Sequence, residues 1–142
     1  MAKQYNKSSQ NNSEAYRQLA EIEGTVPPQA IELEQAVLGA LMLEKDAIID
    51  VQEYIKPETF YTEEHRIIFQ AIQELSFEMK AIDLYTVTEC LKSHRQLTKV
   101  GGAAYLAQLT QRVASAAHIE FHAKIIAQKY VQRELIRSAT EI

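Results

Sequence analysis

Few residues of types that perform chemistry stand close together in this 142-residue chain. His118 and His122 lie four residues apart, so a helix would place both imidazoles on one face, as some metal sites require. Glu120 stands at the wrong offset for the zinc-hydrolase signature, in which glutamate directly follows the first histidine. We therefore expect no metal site and interpret both histidines as partly exposed structural residues. A metal-dependent hydrolase built on this pair is the alternative.

Nucleophiles, paired carboxylates and phosphate loops have better structural explanations. Ser115 has a histidine three residues later, but a nucleophile also needs a group that orients the base and an oxyanion site. Capping of a helix explains this serine more simply. Glu63 and Glu64 indicate a helix start, and the four glycines lack the spacing of a phosphate-binding loop. We expect no catalytic residue and no cofactor in this chain.

A basic stripe is the most suggestive surface feature. Lys129, Arg133 and Arg137 follow one another at four-residue spacing, which predicts a row of cations on one helix face. Such a row could bind DNA phosphates, although a solvated face or ion pairs with a neighbouring subunit are commoner uses of three charges. Charge is also uneven along the chain: residues 27–91 hold 13 acidic and 4 basic residues, and residues 92–142 hold 3 and 8. This asymmetry favours contact between an acidic and a basic half of neighbouring subunits.

The single cysteine and the hydropathy indicate a cytoplasmic protein. Cys90 cannot form an intrachain disulfide, and we interpret it as a packing residue of the helix predicted for residues 84–93. No apolar run reaches the roughly 18 residues of a membrane span. The N-terminus also lacks the basic-then-apolar order of a signal peptide.

Apolar spacing predicts an all-α fold, a compact orthogonal bundle of about six helices. Residues 1–26, rich in Asn, Gln and Ser, are expected to form a disordered or weakly helical tail, and Pro27-Pro28 marks the start of a folded domain over residues 27–142. The first predicted helix covers residues 30–42. Three more begin after the N-cap residues Asp46, Thr62 and Asp83, and a fifth begins after Gly101-Gly102. The sixth begins after the cap Ser115 and runs from residue 116 to the end of the chain.

Apolar positions define the expected buried faces of these helices. Buried residues are expected at Leu33, Val37 and Leu41; at Ile48, Ile49 and Val51; at Ile68, Phe69, Ile72 and Leu75; at Leu84, Val87 and Leu91; at Tyr105, Leu106, Leu109 and Val113; and at Phe121, Ile125, Leu135, Ile136 and Ala139. Because the last helix lacks a stop signal, we expect the chain to be a piece of a longer protein.

Four sequence blocks resemble the DnaB replicative helicase family. The run PPQAIELEQAVLGAL at residues 27–41 closely resembles the opening of that family. The other blocks follow in family order: Phe60-Tyr61 with His65 and Ile68-Phe69, IDLYTV at residues 82–87, and QLTKVGGAAYL at residues 96–106. The resemblance covers residues 27–142, although a family run of Pro-Ser-Ala-Ala-Asn reads ASAAH at residues 114–118.

The resemblance implies a helical N-terminal domain that forms a collar over a hexameric ring of RecA-like motors. It implies pairing of these domains into a trimer of dimers and recruitment of primase, and it leaves a helicase loader open as a further partner. ATP and Mg²⁺ would belong to a C-terminal ATPase domain that this chain lacks, so the parent protein, rather than this fragment, would be the ATP-dependent DNA helicase. The last helix would be the first arm of a helical hairpin whose second arm is absent.

Four positions match the primase-contacting surface of the family: Glu32, Tyr105, Ile136 and Ile142. Tyr105 and Ile136 also fit apolar helix stripes, and Glu32 fits a helix start, so each has a structural alternative. If the resemblance did not hold, the alternative function would be a stand-alone helical DNA-binding or adaptor protein that uses Lys129, Arg133 and Arg137.

Overall fold

Helices account for the regular structure of the chain. The computed structural model describes residues 26–113 and 116–141, so the tail before residue 26, the expected cap Ser115 and the candidate Ile142 lie outside the described residues. Within the described ranges there is no strand. The elements are α1 Ile31–Leu43, α2 Ala47–Val51, a 3₁₀ turn Pro57–Thr59, α3 Glu63–Phe77, α4 Leu84–Ser93, α5 Gly102–Gln111 and α6 Ile119–Glu141. The predicted all-helical fold is confirmed.

Side-chain caps start α3 and α4 as the sequence predicts. Thr62 Oγ1 accepts a hydrogen bond from the His65 backbone N–H at 3.1 Å. Asp83 Oδ1 accepts one from the Thr86 N–H at 2.8 Å, and Thr86 Oγ1 accepts one from the Asp83 N–H at 2.9 Å. These bonds satisfy backbone donors that have no partner within the helix. The register of both helices is therefore fixed at the first turn.

The predicted start of α2 is wrong in its detail. Asp46 makes no side-chain cap and has a left-handed backbone with φ 64°. Ile49, expected on the buried face, is 60% exposed. The reason is length: α2 has five residues, so barely more than one turn can face the core, and Ala47, Ile48 and Val51 occupy that face.

The main core lies in the unit Ala30–Gln128; residues 26–29 and 129–141 belong to a second unit. Its largest fully buried apolar side chains are Leu38, Leu41, Ile55, Phe60, Ile68, Phe69, Ile72, Leu91, Leu106, Leu109 and Ile126. The predicted stripes of α3, α4 and α5 contribute most of these residues, while Tyr105 and Val113 pack against the core but stay partly exposed. No described helix combines the length and apolar character that crossing a membrane would need.

A close approach of α1 and α5 depends on Gly39. A Cβ at this position would overlap the Leu109 carbonyl oxygen and would lie 2.5 Å from Val113 Cγ2. Glycine therefore allows the two backbones to pack nearer than any other residue would. This contact holds the last turn of α5 against α1.

The buried face of α6 differs from the predicted one. Phe121 and Leu135 are 62% and 65% exposed, and Ala139 is exposed as well. The buried positions on this helix are Ile119, Ala123, Ile126 and Ile136. Apolar residues occur on more than one side of α6, so the sequence did not show which of these sides is buried.

Candidate partner-binding surface and its buried support

A buried polar network joins α1, α3 and α5. Glu34 and His65 are each 1% exposed. His65 Nδ1 lies 2.7 Å from Glu34 Oε1, and His65 Nε2 lies 2.7 Å from the Tyr105 hydroxyl. The second oxygen of Glu34 accepts the Tyr61 backbone N–H at 2.8 Å. We call Glu34, His65 and Tyr105 the polar triad.

The hydrogen-bond roles in the polar triad follow from its outer partners. The Arg112 guanidinium donates to Gln35 Oε1 at 2.8 Å, which orients the Gln35 amide so that its nitrogen donates to the Tyr105 oxygen at 3.3 Å. The Tyr105 hydroxyl can then donate to His65 Nε2, while His65 Nδ1–H donates to the Glu34 carboxylate. One tautomer of His65 thus satisfies every partner, which makes the network a rigid support.

Each member of the polar triad occupies the apolar stripe of its helix. Glu34 precedes Val37 and Leu38 by three and four residues, and His65 precedes Ile68 and Phe69 in the same way. Glu34 lies in the first turn of α1, where a carboxylate is expected for its effect on the helix dipole, so the sequence does not reveal its partnership with His65. Its position in line with buried residues is the signal that could have indicated burial.

Tyr105 is where the polar triad reaches the surface. Its side chain is half-buried, and its ring stacks on the His65 imidazole with centroids 6.1 Å apart and planes 8° apart. Glu32, the other candidate in the same unit, is exposed in the first turn of α1. The structure therefore offers one fixed aromatic ring and one carboxylate at the surface.

Ile136 and the basic stripe belong to the second unit. Ile136 is 7% exposed, as its apolar-stripe interpretation predicts. Arg133 donates to the Pro28 carbonyl oxygen at 2.8 Å and lies 5.7 Å from the centroid of the Tyr130 ring. Arg137 pairs with Glu134 at 2.8 Å, and this hydrogen bond lowers the pKa of Glu134. Two cations of the stripe are thus engaged within the chain.

Apolar side chains lie at the surface of α6. Val131 and Leu135 are 52% and 65% exposed and stand four residues apart, hence on one helix face. Phe121, earlier on the same helix, is 62% exposed. Exposed large apolar residues at helical spacing are typical of a surface that another helix covers.

Possible metal ligands occur in two places: the pair His118 and His122, and the cluster Glu74, Cys90 and His94, which the sequence did not indicate. His118 and His122 are near each other, with ring centroids 6.3 Å apart. Cys90 is buried in the core, as predicted, but its thiol also lies 3.7 Å from Glu74 Oε2. Burial, followed by the nearby Glu74 charge, raises the pKa of Cys90, and the hydrogen bond with His94 lowers the pKa of Glu74.

Comparison with known protein sequences gives a consistent result. A family model described as the DnaB-like helicase N-terminal domain matches residues 26–128. The chain is 51% identical over 110 residues to the replicative DNA helicase DnaB of Rhodothermus marinus, a match that covers 78% of this chain and 12% of that protein. It is 44% identical over 117 residues to the DnaB of Geobacillus stearothermophilus, covering 82% of this chain and 26% of that protein. The chain thus spans no more than 26% of the length of these relatives.

Solved structures show the same fold. The N-terminal domain of DnaB helicase from Mycobacterium tuberculosis superposes with a TM-score of 0.79 at 38% identity, covering 81% of this chain and 83% of that chain. A DnaB-like replicative helicase, solved in a study of its interactions with primase, gives a TM-score of 0.70 at 26% identity. That match covers 79% of this chain and 26% of the helicase chain.

Proposed function

The chain belongs to the family of DnaB-like helicase N-terminal domains, and from this we propose that it is the ring-assembly and primase-docking module of a bacterial, cytoplasmic replicative helicase. It would pair with copies of itself within a hexamer and present a surface to primase. ATP-driven unwinding would reside in the much longer part of such helicases that this sequence does not cover.

The observation that carries the docking proposal is the fixed presentation of Tyr105. A ring whose hydroxyl is held at 2.7 Å by His65 has its rotamer set before a partner arrives. Binding then costs little side-chain entropy, so the fixed ring can contribute more of its contact energy to affinity. The related helicase whose structure was studied for its interactions with primase supports primase as that partner.

The assembly proposal rests on α6. Its exposed Val131 and Leu135 provide an apolar strip, and Arg137 and Glu134 provide charges of both signs beside it. A helix from another copy could cover the apolar residues while the charged ones set its register, as in helical pairs generally. Trimer-of-dimers pairing would use this strip.

Primase docking can be tested by calorimetric titration with the helicase-binding domain of a bacterial primase. Tyr105→Ala should weaken binding by roughly 1–2 kcal/mol, which is about 5–30-fold in Kd, because it removes an aromatic anchor. Tyr105→Phe keeps the ring but loses the bond to His65, so its affinity should lie between those of the wild type and Tyr105→Ala. Tyr85→Ala is the matched control, because Tyr85 is a tyrosine of the same unit that is 72% exposed.

The outcome distinguishes an anchor from a structural tyrosine. Equal affinity of wild type and a folded Tyr105→Ala variant would exclude Tyr105 from the docking surface. An equal loss in Tyr85→Ala would point to a nonspecific effect of removing an exposed aromatic ring.

Pairing through α6 can be tested by sedimentation equilibrium. Leu135→Glu should weaken self-association, because it places a charge in the apolar strip, whereas Phe77→Glu should not, since Phe77 is 89% exposed on α3. Wild type that stays monomeric at every concentration, or an unchanged Leu135→Glu variant, would contradict pairing of this chain through the strip.

A further inference from the structure

Three side chains that bind transition metals meet where α3 and α4 pack together. Glu74, Cys90 and His94 each bring one ligand atom to within 4.8 Å of the others. Cys90 Sγ lies 3.7 Å from Glu74 Oε2, and His94 Nε2 lies 2.9 Å from Glu74 Oε1. We propose that these residues form a binding site for Zn²⁺ or a closely similar divalent cation, with the fourth position open to water.

The distances suit a tetrahedral ion. With a Zn–S bond of about 2.3 Å and Zn–O or Zn–N bonds of about 2.1 Å, two ligand atoms on one ion lie roughly 3.3–3.7 Å apart. The Cys90 sulfur and the Glu74 oxygen already have such a separation. His94 Nε2 is closer to Glu74 than this because the two now share a hydrogen bond, and its side chain is 47% exposed, so it can withdraw without disturbing the core.

The ends of two helices hold the ligands in place. Cys90 and His94 are four residues apart at the C-terminal end of α4, so both face the same side, and the His94 N–H donates to the Cys90 carbonyl at 3.2 Å. The helix ends at Ser93, and two residues later Arg95 has a left-handed backbone with φ 59°. Glu74 lies in the last turn of α3, beside the buried Leu75. The metal would find its three ligands largely pre-arranged.

The donor set selects the class of ion. A thiolate, an imidazole and a carboxylate together favour Zn²⁺ and similar borderline cations over Mg²⁺ and Ca²⁺, which prefer oxygen ligands alone. A surface cavity of about 340 Å³, lined by Gln70, Glu74, His94 and Gln96 among others, leaves room for a fourth ligand. Binding would release the thiol proton to solvent and replace the Glu74–His94 hydrogen bond with two bonds to the ion.

Titration with Co²⁺ is a direct test, because a thiolate bound to cobalt gives a charge-transfer absorption band. Cys90 is the only cysteine of the chain, so such a band can arise from no other residue. We expect the band to saturate at one Co²⁺ per chain and to disappear when Zn²⁺ displaces the cobalt. Cys90→Ser should abolish it, and His94→Gln and Glu74→Gln should each weaken Co²⁺ binding by at least about tenfold.

Control variants separate this site from other modes of metal binding. His122→Gln removes one histidine of the pair His118 and His122, which lies outside the proposed site, so it should leave the band and the Co²⁺ affinity unchanged. His94→Gln and Glu74→Gln change partly exposed side chains, so they test the site even if Cys90→Ser, which alters a buried residue, unfolds the protein.

Three results would each overturn the proposal. The first is a wild-type chain without the band. The second is a band that keeps its full affinity in both His94→Gln and Glu74→Gln, which would mean that the thiolate binds cobalt alone. The third is one Co²⁺ per two chains, which would place the ion between copies. None of them would affect the primase-docking proposal, which uses other residues.

Discussion

Replacement of Glu34 by leucine removes the carboxylate of the polar triad. Two donors then lose this acceptor: the buried His65 Nδ1–H and the partly buried Tyr61 backbone N–H. A buried donor that loses its partner costs about 1–3 kcal/mol. Leucine is similar in size to glutamate, so no large cavity adds to this. We expect Glu34→Leu to lower the free energy of unfolding by about 2–4 kcal/mol, chiefly because the buried His65 Nδ1–H loses its acceptor.

Urea denaturation followed by far-ultraviolet circular dichroism measures this loss. The matched control is Glu32→Leu, because Glu32 lies on the same helix two residues earlier and is exposed. That variant should change the free energy of unfolding by no more than about 0.5 kcal/mol. An unchanged m value in both variants would show that the loss reflects the folded network rather than a more compact unfolded state.

A double-mutant cycle separates the interaction from simple burial. His65→Leu alone should also destabilise the fold, because Glu34 keeps its charge but loses its main partner. The double variant removes both groups together, so its loss should be smaller than the sum of the two single losses by about 1–3 kcal/mol. Additive losses, or a Glu34→Leu loss below about 1 kcal/mol, would refute the view that Glu34 and His65 form a coupled buried pair.

Three further perturbations test the packing, a surface tyrosine and a helix cap. Gly39→Ala should lower the free energy of unfolding, measured in urea, by about 1–3 kcal/mol, because the added Cβ would overlap the Leu109 carbonyl oxygen. An unchanged free energy of unfolding would mean that α1 and α5 can separate at no cost. Tyr54 donates to Glu120 at 2.8 Å, and this bond raises the pKa of Tyr54 to about 12, so its stabilising effect is present below pH 10 and is lost as the pH passes 12. Tyr54→Phe should remove a component with a midpoint near pH 12 from an ultraviolet absorbance titration, and an unchanged titration would contradict this assignment. Asp83→Ala should cost about 1 kcal/mol of unfolding free energy, and an unchanged value would contradict its role as a cap.

Helix starts with a polar N-cap residue were the most predictable part of the fold. Thr62 and Asp83 both cap helices as expected, because local chemistry alone decides these ends. The prediction that Asp46 caps α2 was wrong. The turn between α1 and α2 places a left-handed backbone at this position, which aspartate tolerates. The predicted buried face of α6 was wrong for another reason. Which of its apolar residues are buried depends on the segments that pack against it, and the sequence of the helix alone does not determine this.

The candidate site was only partly accessible from sequence. Resemblance to a family identified Tyr105 as a surface candidate, but the hydrogen bond that fixes it comes from His65, 40 residues earlier. Glu74, Cys90 and His94 likewise lie on two helices, and only the Cys90-to-His94 spacing of four was visible in the sequence. Contacts between distant segments depend on packing, so residue types and spacing could not reveal them.

The buried polar groups and the exposed apolar groups of the protein indicate how a partner could stabilise it. Among the described residues, no buried side-chain nitrogen or oxygen lacks a hydrogen-bond partner. A partner would therefore supply few hydrogen bonds that the buried side chains of the described residues lack. Apolar surface is different: Phe121, Val131 and Leu135 remain more than half exposed on α6, where water contact is unfavourable. A partner would stabilise this chain chiefly by covering that apolar surface, so association should show a negative heat-capacity change, and its absence in calorimetry would argue against α6 as the paired surface.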